Sequence, residues 1–82
     1  MHTDRYHEND AVRVTRPLAG EDPYTGRPVS VPAFEPGTII VGSPGRSEFD
    51  VEFILSDGGS ERSAVLIVQA EDLEPYMESA TI

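Results

Sequence analysis

Glu48, Asp50 and Glu52 recur at every second residue, and Glu61 follows in the same acidic stretch. Carboxylates so arranged have three uses. As an acid/base pair on a glycosidic bond they must face each other across one pocket, about 5 to 9 Å apart. As a calcium site they need a tight loop that adds backbone carbonyls. The third use is electrostatic, and it needs only a shared face. A two-residue period is that of an extended strand, which sends alternate side chains to one side, so Glu48, Asp50 and Glu52 are expected on one outward surface. That surface is either a solvated acidic face or one that steers a basic partner. No catalytic residues are assigned, and no enzyme activity is expected.

Other chemistry is thinner. His2, Asp4, His7 and Glu8 offer nitrogen and oxygen ligands to zinc, nickel or copper, but they precede the first apolar alternation and read as a flexible tail over residues 1–9. With no cysteine in the chain, thiolate metal sites, disulfides and cysteine nucleophiles are excluded. A serine nucleophile would have to borrow a histidine from the tail. Glycines at 42, 45, 58 and 59 lack the lysine and the strand-to-helix context of a phosphate loop and read as turns. Neither metal nor cofactor is expected. Among the remaining side chains Tyr24, Arg27 and Phe34 are the candidates for anchoring a protein partner. For Phe34 the alternative is a core plug, and for Tyr24 a hydroxyl that pins its loop.

The elements that must position these residues are strands. Residues 10–16 alternate Val12 and Val14 inward against Arg13 and Thr15 outward. Residues 17–37 carry five prolines and three glycines, too many breakers for a helix or a central strand. They read as a long ordered loop with a short edge strand at residues 29–31, and long loops are common places for function. Residues 38–41 form a β-branched run expected as a strand buried on both faces. Residues 48–55 alternate Phe49, Val51, Phe53 and Leu55 with the acids, and residues 61–68 return across Gly58 and Gly59 as a hairpin. One helical or 3₁₀ turn is expected over 69–73, a last strand over 74–77, and a tail over 78–82.

Eighty-two residues give one domain, expected over 10–77, with room for a single small core. The formal charge is −9, and residues 47–82 carry −8 of it, with nine carboxylates against Arg62. All six basic residues are arginines. A field of this sign disfavours nucleic acid and anionic membranes, and no stretch reaches the ~20 apolar residues of a membrane span. The N-terminal stretch lacks the pattern of a secretory signal, so a cytoplasmic location is expected. The natural partner of the acidic half is a basic protein.

The stretches at 10–12, 36–41, 50–53, 57–58 and 71–73, including Gly37-Thr38-Ile39-Ile40, Val51-Glu52-Phe53 and Asp72-Leu73, resemble a family of short bacterial domains of unknown function. That likeness implies an all-β, five-stranded SH3-like barrel, here with a longer, proline-rich first loop. More distantly the chain looks like the SH3-like modules in accessory or β subunits of nitrile hydratases. The resemblance implies a non-enzymatic inhibitor, immunity-type or accessory protein. The alternatives are an enzyme-associated domain whose long loop shapes a pocket for a ligand, and a homo-oligomer that pairs edge strands.

Overall fold

A computed structural model describes residues 6–42, 45 and 47–76 of the chain. Among these residues seven strands follow in order: β1 Ala11–Val14, β2 Leu18–Glu21, β3 Pro28–Val31, β4 Pro36–Val41, β5 Glu48–Asp57, β6 Ser60–Gln69 and β7 Leu73–Pro75, with a 3₁₀ turn at Ala70–Asp72 before the last. The described residues contain no α-helix. The molecule is all-β and built of two sheets that do not close on each other: a five-stranded sheet in the order β6-β5-β4-β1-β7, and the two-stranded sheet β2-β3.

The long hairpin dominates. Its turn residues Gly58 and Gly59 have φ of 64° and 91°, the positive pair that a two-residue turn matching strand twist demands. From that turn the ladder runs in unbroken register from Asp57↔Ser60 to Glu48↔Gln69. Alternation then puts Phe49, Val51 and Phe53 with Ala64, Leu66 and Val68 on the inner face, where all six are buried. Val12, Val14 and Ile39 join them from β1 and β4, Val29 and Val31 from β3, and Leu73 from β7. Each such side chain contributes roughly 1.5–3 kcal/mol by leaving water, so this one core holds the two sheets together. At Gly37, β4 passes so close to β5 that a Cβ would stand 2.8 Å from Val51 and 2.9 Å from the Glu52 carbonyl. Glycine is required there by space.

Three local expectations change. The proline-rich segment is not an unpaired loop: besides the edge strand near Val29, residues Leu18–Glu21 pair with Pro28–Val31. Prolines are tolerated because both strands are edges and Pro28 opens its strand. The run at 38–41 is not buried on both faces. Only Ile39 is buried, because the register slips between Ile39 and Val41 and leaves Ile40 in a bulge. Tyr6, expected in a tail, is 4% exposed, meets Phe49 edge-on at 5.7 Å between ring centroids, and donates its hydroxyl to the Leu73 carbonyl. Residues 1–5 and 77–82 lie outside the described residues.

Candidate functional site

The outer face of the five-stranded sheet can be built row by row from the pairing. Glu52 faces Thr38 on β4 and Val65 on β6, and Thr38 faces Ala11 on β1. One row over, Asp50 lies between Val41 and Ile67. On the other side Ile54 faces Ser63, while Arg13 lies between Pro36 and Glu74. Between these rows is a shallow depression of about 310 Å³, lined by Ala11, Pro36, Thr38, Glu52, Ile54 and Tyr76. Glu48, Asp50 and Glu52 share this face, as the alternation required, and all three are half-buried rather than fully solvated.

Tyr24 reaches the face from the far side of β6. Its anchor is Asp22, 4% exposed, whose Oδ1 accepts the backbone N–H of Tyr24 at 2.8 Å and of Thr25 at 3.2 Å, while Oδ2 accepts Val65 N–H at 2.9 Å. In the hairpin register the Val65 N–H points away from β5, so Asp22 sits outside β6. The Tyr24 hydroxyl nevertheless donates to Asp50 Oδ2 on β5 at 2.7 Å, so the side chain crosses the outside of β6. Val65 is 8% exposed yet does not belong to the core cluster, as expected of a residue covered from outside. These bonds set the titration. The N–H of Val65, then that of Tyr24, holds the Asp22 carboxyl below its ordinary value, and the bond to Asp50 pushes the Tyr24 phenol up.

At the opposite end stands Phe34. Glu35 N–H returns to the Pro32 carbonyl at 3.3 Å, and Phe34, third in this four-residue turn, has φ of 67°. That left-handed conformation is costly for a bulky residue and is normally given to glycine. The ring is 57% exposed, so Phe34 is no core plug. Instead the Arg13 guanidinium lies 5.4 Å from its centroid and is itself paired with Glu74. Arg16 is held in the same way by Asp72 through two hydrogen bonds of 2.8 and 2.9 Å, which raise its pKa.

The remaining sequence candidates fall elsewhere. Glu61 is exposed beside the hairpin turn, opposite Ser56. Arg27 is exposed and lines a hollow with Thr25 and Arg62, away from Tyr24's contact with Asp50. His7 and Glu8 are exposed, and His7 donates its backbone N–H to Asp10. His2 and Asp4 lie outside the described residues. No group of three or more metal-ligating side chains is found among the described residues. Sequence reading missed Ile54 and Ile67, Arg13 as the partner of Phe34, and Asp22 as the anchor of Tyr24. The last had a signal: Asp22-Pro23-Tyr24-Thr25-Gly26 is the composition of a turn in which an aspartate caps its own backbone.

No protein-family model, curated protein or solved structure matches the chain.

Proposed function

We propose that this chain is an SH3-like barrel that works as a non-enzymatic module, binding a basic protein through the outer face of its five-stranded sheet. One observation carries the reading. The four large apolar side chains exposed among the described residues, Tyr24, Phe34, Ile54 and Ile67, all lie on or over that face, interleaved with Glu48, Asp50, Glu52 and Glu74. A mixture of apolar anchors and charge is the make-up of a separable protein interface. Here the anchors supply residence time and the carboxylates supply encounter rate. The strain at Phe34 supports the same reading, since exposed aromatics in disfavoured backbone conformations collect at functional sites. The SH3-like assignment is supported by the strand order, by the 3₁₀ turn before the last strand, and by the hairpin carried in the first long connection. An inhibitor, immunity-type or accessory role in the cytoplasm is the setting we assign to it.

The test is co-expression with the protein encoded beside it, followed by stopped-flow binding. Raising salt from about 50 to about 500 mM should slow association several-fold and change dissociation less. Reversing Glu48, Asp50 and Glu52 to lysine should slow association further. Phe34→Gly, which relieves the backbone, should leave stability intact and speed dissociation. Binding that ignores salt, the triple reversal and the loss of Phe34 defeats the reading.

A further inference from the structure

The inner side of the long hairpin ends in an arginine. Ala64, Leu66 and Val68 are buried on that side, and the next position with the same orientation is Arg62, opposite the half-buried Leu55. Where the core pattern calls for an aliphatic residue, the chain places a cation. Arg62 and Val29 together line two adjoining hollows beneath the β2–β3 hairpin. The larger, about 670 Å³, has Ala19, Gly20, Pro28 and Leu55 in its walls. The smaller, about 370 Å³, adds Arg27, Thr25 and Ser63.

Charge makes this place unusual. The described residues contain four arginines. Arg13 is paired with Glu74 and Arg16 with Asp72, whereas Arg27 and Arg62 form no ion pair among the described residues. The carboxylate in the smaller hollow is Asp22, whose oxygens accept three backbone N–H groups and on which Arg62 acts through space, helping to hold its carboxyl low. Glu35 is the acid on the wall of the larger one. The two described arginines that form no ion pair therefore share one concavity with Asp22, beside the Thr25 hydroxyl and an apolar wall.

We infer that these joined hollows bind an oxyanion, a carboxylate or a phosphate, carried on a short apolar body. The guanidinium forks of Arg62 and Arg27 would take its oxygens side-on, the geometry in which arginine binds such groups best. The Thr25 hydroxyl would complete the shell, and the apolar body would lie along Val29, Leu55 and Gly20. The larger hollow meets the outer face at Ile54, but its arginines take no part in the partner surface proposed there, so the two readings are tested independently.

The test is titration of the ¹⁵N-labelled protein with sodium hexanoate, sodium acetate and inorganic phosphate, read from amide shifts. The expected result is saturable shifts centred on Arg27, Arg62 and Ser63, with hexanoate binding more tightly than acetate because its chain enters the larger hollow. A preference for phosphate over hexanoate would assign a phosphorylated ligand, and the reverse a carboxylate. Arg62→Gln and Arg27→Gln replace exposed side chains, so their spectra should keep the wild-type pattern. Each should weaken binding about tenfold or more, the loss expected for one charge-assisted contact. Absence of saturable shifts with hexanoate and phosphate alike, or unchanged affinity in both variants, overturns the site. Equal affinity for acetate and hexanoate overturns the apolar body.

Discussion

The β5–β6 hairpin pairs ten residues with ten and buries six apolar side chains beneath itself, whereas β2–β3 pairs four with four and contributes Val29 and Val31. The long one turns on two glycines. The short one closes through Asp22, whose main chain exchanges bonds with Gly26 and Arg27 while its carboxylate binds Tyr24, Thr25 and Val65. Apolar area therefore holds one hairpin and a single carboxylate organises the other. The two should fail separately.

The largest effect is expected in the long hairpin. Phe53 is fully buried, and Phe53→Ala should cost about 3–5 kcal/mol, most of the roughly 5–8 kcal/mol expected of so small a domain. Urea unfolding followed by fluorescence or circular dichroism should show the midpoint collapsing; a midpoint near wild type would mean that the core does not centre on this strand.

A smaller, local effect is expected at Asp22. In Asp22→Asn one carboxylate oxygen gives way to an amide that cannot accept, so one of the three N–H donors is left unmet. Hydrogen exchange should quicken at Tyr24, Thr25 and Val65 while Val51 and Phe53 keep their protection. The pH dependence has a definite sign. Because the folded pKa is depressed below the ordinary 3.8, the stabilisation is complete above that value and is lost as pH falls through the folded one. In an acid titration the amides at residues 22–27 should thus change at lower pH than an unstructured aspartate would. If Asp22→Asn lowers the urea midpoint as far as Phe53→Ala does, the separation between the hairpins disappears.

Glu52→Ala should have the smallest effect. It lies on the opposite face from Phe53, and its loss should change stability by less than about 0.5 kcal/mol. A larger loss in the same urea experiment would point to a one-residue slip of β5, which exchanges inner and outer faces.

The same contrast explains what could be read from the chain. Phe49 to Phe53 and Ala64 to Val68 carry their two-residue period openly, and Gly58-Gly59 marks their turn, so the long hairpin, its inner face and its acidic outer face were legible. The inward Val12 and Val14 were legible for the same reason, and a helical or 3₁₀ turn over 69–73 followed from the length of that segment. β2 was not, because Leu18-Ala19-Gly20-Glu21 has almost no apolar alternation and pairs only where β3 and the core support it. Tyr6 belongs to the core through Phe49, a partner distant in sequence, and nothing local announces that. On the candidate face the carboxylates followed from spacing and the Tyr24 hydroxyl from its loop. The exposure of Phe34 depends on a left-handed turn that its residue type disfavours, so propensity argued against it. Ile54 and Ile67 break the polar pattern of their face, and a break in pattern shows as a surface feature only once the strands are assembled.

β6 is an outermost strand of ten residues, and such a strand offers its unpaired amides and carbonyls to any passing chain, the usual start of edge-to-edge aggregation. Asp22 occupies the donor at Val65, near the middle of that strand, so another strand cannot lie along it without first displacing a buried carboxylate. The guard depends on pH. In strong acid, protonation of Asp22 weakens the cap and frees the donor at Val65. Acid should therefore open the middle of this edge to strand pairing, a step opposed only by the positive charge of six arginines and two histidines that remains once the carboxylates are protonated.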